Sequence, residues 1–178
     1  MGDWRSGSAA ALHADGHWFE SDIAHYKYLK NGIMEKLYKL LSDTQASLFV
    51  LFQKTWVYHW HIVGPDFKQI HDLFGEQYLA IQEEVDRIAE HMRFLEIKPV
   101  SSLSRVVEVS GIDEAKSNIS EMEMIRDLME GHQQIITMLS DAAVEADEQK
   151  SRGTVNLLDD LNEAHGKFLW MLRSFTEK

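Results

Sequence analysis

Tyr58-His59-Trp60-His61-Ile62-Val63-Gly64-Pro65-Asp66-Phe67-Lys68-Gln69-Ile70-His71 is the stretch on which the fold depends. Gly64-Pro65-Asp66 is a strong turn signal, because proline fixes its own φ and pushes the preceding residue out of the helical region. Before the turn, Ile33, Met34, Leu37, Leu40, Leu41, Leu48, Val50, Leu51, Trp56 and Val57 recur at helical spacings. They predict a helix from about Asn31 to His61. After the turn a second helix is expected from about Lys68 to Leu95, ending before Lys98-Pro99.

Ser101 to Asn118 reads as a connector, with Leu103, Val106, Val107 and Val109 able to form a short helix inside it. Ser120 followed by Glu123 is a capping box and opens a third long helix, running through Leu128, Ile135, Ile136 and Leu139 to about Gln149. Lys150 to Gly153 make a break, and Thr154 is the expected cap of a fourth helix reaching about Phe175. The predicted class is all-α: a ferritin-like four-helix bundle with a short extra helix in the long connection between helices 2 and 3. Residues 1–20 mix Gly, Ser, Ala and His without a period and read as a flexible tail. Residues 21–178 are then the bundle.

The 178 residues suffice for one domain with a real core, and 44% hydrophobic with 26% charged is a globular composition. Only Pro65 and Pro99 occur, which favours long helices. A net charge of -11 argues against a broadly basic nucleic-acid surface and suits attraction of cations. With no cysteine, zinc–thiolate sites and thiol catalysis are excluded, so any metal must be held by His, Asp, Glu, backbone oxygen or water. No secretory pattern opens the chain and no apolar run approaches a bilayer span, so a cytoplasmic protein without membrane contact is expected.

Asp86 and Glu90 stand four apart on the second predicted helix and share a face. Two like charges so placed repel unless a cation bridges them; the alternative is a solvated pair with Arg87 and Arg93 nearby. His59 and His71 add imidazoles, and imidazole with carboxylate is a sound ligand set for ferrous iron and other borderline divalent metals. His71 and Asp86 are fifteen residues apart on one helix, about 22 Å at 1.5 Å per residue. They cannot hold one metal within a chain. Either there are two unrelated sites, or two subunits pack antiparallel so that each two-fold pair carries two equivalent sites.

The pattern YHWH-x-x-G-P-x-F-x-x-x-H followed by D-x-I-A-E resembles the signature of the Dps proteins, the DNA-binding proteins from starved cells. Lys167-Phe168-Leu169-Trp170-Met171-Leu172-Arg173 resembles that family's last helix, and the likeness covers about residues 30 to 175. The resemblance implies a ferroxidase centre between subunits, with His59 and His71 from one chain and Asp86 and Glu90 from its two-fold mate as catalytic and metal-ligating residues. It implies an iron-storage and detoxification protein acting under oxidative stress. Such a protein oxidises Fe(II), with hydrogen peroxide or dioxygen, and stores Fe(III) inside a hollow homododecamer. Zinc could take the place of iron at a mono- or di-iron centre. Trp60 matches a tryptophan near the centre, with interface packing as its simpler role.

Three departures qualify that expectation. The family's Asp or Glu four residues after the second histidine is Gly75 here; Glu76 lies about 100° further round the helix. His61 and His165 are candidate replacements. The N-terminal stretch has Arg5 but no lysine before Lys27, so DNA binding is expected to be weak or absent. His13, His17 and His25 make that stretch histidine-rich. Glu145, Asp147, Glu148 and Asp159 lie where the family builds acidic iron-entry pores, with Asn156 in a place often taken by Asp. Competing readings are a metal buffer with little turnover, a DNA-compacting nucleoid protein, and a haem or di-iron bundle with its ligands inside one chain. The last needs Glu-x-x-His pairs that do not occur, since Glu130 and His132 are two apart.

Overall fold

The computed structural model describes residues 33–176, with side chains from Glu35 onward. The described residues form five helices and no strand: α1 (Ile33–His61), α2 (Phe67–Phe94), α3 (Leu103–Val109), α4 (Glu121–Glu148) and α5 (Arg152–Arg173). This is the expected all-α order, four long helices with a short one between the second and third. The tail expected over residues 1–20, its histidines and the helix start near Asn31 lie outside the described residues. Lys36–Lys178 forms one compact unit; of the other, Met1–Glu35, only the opening of α1 is described.

The helices form where apolar residues share a face. On α2 the buried set is Ile70, Leu73, Phe74, Ile81, Ile88 and Met92; on α4 it includes Ile125, Leu128, Ile135 and Leu139. Each such side chain contributes roughly 1.5–3 kcal/mol on burial. Gly64, in the α1–α2 turn, has φ +149°, and a Cβ there would fall 1.8 Å from Glu121 Oε2. The positive φ favours glycine, whereas the Glu121 carboxylate is the far end of a flexible side chain and can move aside. The capping box is formed: Ser120 accepts from the Glu123 amide, and the Glu123 carboxylate accepts from the Ser120 amide. One expectation is corrected at α5. The helix starts at Arg152 after Ser151, and Thr154 lies inside it. Thr154 cannot cap, because its hydroxyl meets His91 Nε2 at 2.8 Å and the Ser151 hydroxyl at 2.7 Å.

A buried polar knot fastens the long connection to the bundle. Asp127 on α4 accepts from Tyr58 on α1 at 2.7 Å, pairs with buried Lys54 at 3.0 Å, and pairs with Lys116 of the connection at 2.6 Å. The Lys116 amide also donates to the Tyr58 oxygen at 2.9 Å. Burial pushes the Asp127 carboxyl up, but the hydrogen bonds from Lys116, Tyr58 and Lys54 together hold it below its usual 3.8.

Candidate metal centre

The Gly64 turn folds α2 back on α1 so that His59 and His71 meet. Their rings stack at 3.8 Å between centroids, 21° from parallel. His59 Nδ1 lies 2.8 Å from the His71 carbonyl, and His71 Nδ1 lies 3.0 Å from the His59 carbonyl. A carbonyl only accepts, so each Nδ1 carries a proton, and Nε2 is the ring nitrogen left for a ligand. Two imidazoles thus present their Nε2 atoms side by side, each ring oriented by a backbone acceptor in the manner of metal-bound histidines. The His59 carbonyl is available because it lies in the last turn of α1, where helix carbonyls lose their partners.

Gly75 belongs to this geometry. It stands one turn after His71 on α2, and a Cβ there would come 3.4 Å from His59 Cε1 and 3.6 Å from its Nδ1. A Cβ at this position would make ordinary van der Waals contact with the His59 ring, so the fold does not demand glycine there. Trp60 is 57% exposed, with its ring 4.7 Å from that of Trp56.

Asp86 and Glu90 lie on α2 with exposed side chains, and neither has an ion pair or hydrogen bond among the described residues. Arg87 does not compensate them, because its guanidinium reaches Asp160 on α5 at 2.5 Å. No group of three His, Asp or Glu side chains is gathered round one point among the described residues. Among the described residues the imidazole pair and the carboxylate pair therefore stand apart from each other on one chain. Asp86 also lines an open surface groove of about 610 Å³ with Leu79, Gln82, Glu83, Val85 and Ala89.

His165 is not a substitute for the carboxylate missing at Gly75. It is fully buried, with Nε2 2.8 Å from Glu84 Oε2 and Nδ1 2.7 Å from His132 Nδ1. His61 is exposed at the end of α1. The Glu84–His165–His132 chain joins α2, α5 and α4, and sequence reasoning missed it. Its signal was available: Glu84 falls between Ile81 and Ile88, His132 between Leu128 and Ile135, and His165 between Leu161 and Leu169, all on core-facing positions. Burial, then the charge of His165, holds His132 well below the usual 6.5, and its Nε2 has no partner.

The sign of the resulting pH effect follows from linkage. The unfolded chain takes up a proton at this histidine near pH 6.5 and the folded chain only lower, so folding stability is full above 6.5 and falls as pH drops below it. Thermal midpoints measured from pH 7.5 to 5 are expected to decline. In His132→Asn, which cannot be protonated there, the decline is expected to be shallower.

Of the acidic residues expected to line an entry pore, two are committed to ion pairs within the chain. Glu145 is buried against Lys36 at 2.6 Å and Asp147 pairs with Arg152 at 2.8 Å. Glu148, Asn156 and Asp159 remain exposed.

The chain belongs to the ferritin-like domain family, whose model matches residues 38–178. It is 36% identical over 140 residues, 78% of each chain, to a low temperature-induced protein of Nostoc sp.. The structure of Dps from Thermosynechococcus elongatus superposes with a TM-score of 0.80 at 29% identity, covering 82% of this chain and 93% of that one. Dps from Vibrio cholerae O1, described as a member of a broad superfamily of ferritin-like diiron-carboxylate proteins, gives 0.78 at 28% identity, covering 82% and 91%. Within the family the chain is a Dps mini-ferritin. Among the described residues no helix is long and apolar enough to cross a membrane.

Proposed function

We propose that two copies of this chain pair about a two-fold axis, so that His59 and His71 of one face Asp86 and Glu90 of the partner subunit. The pair then holds two ferroxidase centres, in which ferrous iron is the substrate. The reciprocal imidazole lock carries this reading. It presents two nitrogen donors with no carboxylate beside them, while the same helix displays two unpaired carboxylates about 22 Å further on. Trp60 and Leu79, both at 57% exposure, supply apolar surface on these helices for a partner to cover.

In the reaction two ferrous ions lose one electron each, and the O–O bond of hydrogen peroxide takes both to leave two hydroxides. The ferric product accumulates inside a hollow dodecamer in the cytoplasm, removing iron and peroxide from radical chemistry together. The chain's own part is to supply two imidazoles whose Nδ1 protons are placed on carbonyls, so that Nε2 is the nitrogen each ring offers to the metal. A crystal soaked anaerobically in Fe(II) is expected to show metal contacting His59 or His71 and also Asp86 of the partner subunit. Metal touching none of these overturns the reading.

Gly75 favours a second reading, a buffer that binds iron or zinc with little turnover. The two readings separate on Gly75→Asp. If the second metal position is short of a ligand, this variant is expected to raise the iron stoichiometry and the initial oxidation rate several-fold in a stopped-flow titration. Values equal to wild type mean the site was complete. DNA compaction is the least supported role at net charge -11. Gel shifts at ~150 mM salt are expected to show no retained complex, since few phosphate counterions would be released.

A further inference from the structure

The rings around the imidazole pair form a clamp. Phe67 stands four residues before His71 on the first turn of α2, and its ring stacks on His71 at 5.0 Å and 30°. Phe67, His71 and His59 are thus three rings in one stack. Tyr78 meets His59 edge-on at 5.3 Å and 69°. It is backed in turn by Trp56 at 6.0 Å and Phe52 at 6.4 Å, both on α1.

We propose that Phe67 and Tyr78 are positioning residues of this half-site, an inference that rests on the metal-binding reading of His59 and His71. Among the described residues each imidazole has one hydrogen bond to hold it, from Nδ1 to a carbonyl of the facing helix. One such bond fixes the direction of the ring but leaves tilt about the bond axis. Stacked faces remove the tilt for His71, and the Tyr78 edge removes it for His59. The same rings shelter the two Nδ1–carbonyl bonds from water, which would compete for both partners. The contact of Tyr78 is made by its ring, so the hydroxyl is dispensable for this role. The clamp keeps the two Nε2 lone pairs aimed together, and its loss is felt as weaker and less uniform metal coordination.

The test is a Co(II) titration of the full chain, read by affinity and by the visible absorption of the bound metal, beside the thermal midpoint and the particle size. Phe67→Ala and Tyr78→Leu are expected to weaken Co(II) binding about tenfold, the scale for groups that orient a ligand, and to alter its absorption band. Phe67→Tyr and Tyr78→Phe are expected to restore both to within about twofold of wild type, with particle size unchanged in all four. The proposal is overturned if Phe67→Ala and Tyr78→Leu bind Co(II) as wild type does, or if weaker binding is accompanied by a changed particle size. His59→Ala and His71→Ala serve as the control on the underlying reading: wild-type Co(II) affinity in those variants defeats the half-site itself, whatever Phe67 does.

Discussion

Asp86→Asn is expected to fold and assemble normally while Fe(II) oxidation falls by about a hundredfold, the loss of a few kcal/mol of metal-centred stabilisation. Asn keeps the shape of Asp but neither its charge nor its anionic oxygen. Asp86 has an exposed side chain and no ion pair or hydrogen bond among the described residues, so nothing in the bundle depends on it. Removing one of two like charges four residues apart even relieves a local repulsion with Glu90. An unchanged melting temperature with a large loss of rate therefore separates a ligand from a structural residue. Stopped-flow absorbance of ferric product checks the rate and calorimetry the fold. Equal rates in the variant and the wild type would remove Asp86 from the site.

Much of this was legible in the sequence, because its signals are local. Gly64-Pro65 ends one helix and opens the next, and Ser120 with Glu123 starts α4. Helix rise alone separates His71 from Asp86 too far for one metal within a chain. What was not legible is how chain segments meet. The reciprocal bonds of His59 and His71 depend on a carbonyl freed at the end of α1. From spacing alone Gly75 reads as a lost ligand, and its closeness to the His59 ring appears only in the fold. His165 read as a spare ligand because its partners Glu84 and His132 lie on other helices. Thr154 read as a cap until His91, 63 residues away in the chain, was found on its hydroxyl.

The largest loss of stability is expected at Asp127. Truncation to Ala leaves buried Lys54 as an unpaired cation and takes the acceptor from Tyr58, while Lys116 loses its tie to the bundle. Breaking a buried pair by removing one partner costs about 3–5 kcal/mol. For a chain of this size that lowers the thermal midpoint by about 10 °C. Asp127→Asn, which still accepts from Tyr58, is expected to lose less. The carboxyl is held below its usual 3.8 in the fold, so its contribution is fully present above about pH 4 and disappears as pH falls further. Acid titrations of wild type and Asp127→Asn are therefore expected to converge below that pH. A midpoint for Asp127→Ala within 2 °C of wild type would show that the knot adds little to the fold.

Whether each centre is shared between two chains is decided by mixing two inactive variants. His59→Ala retains Asp86 and Glu90, and Asp86→Asn retains both histidines. When the two are dissociated, mixed in equal amounts and reassembled, half of the two-fold pairs contain one of each. In such a pair one centre carries both defects and the other carries neither. The account predicts that about a quarter of the wild-type oxidation rate returns on mixing, while each variant reassembled alone stays inactive. A mixture no more active than its two components would show that the histidine pair and the carboxylate pair do not build a shared centre.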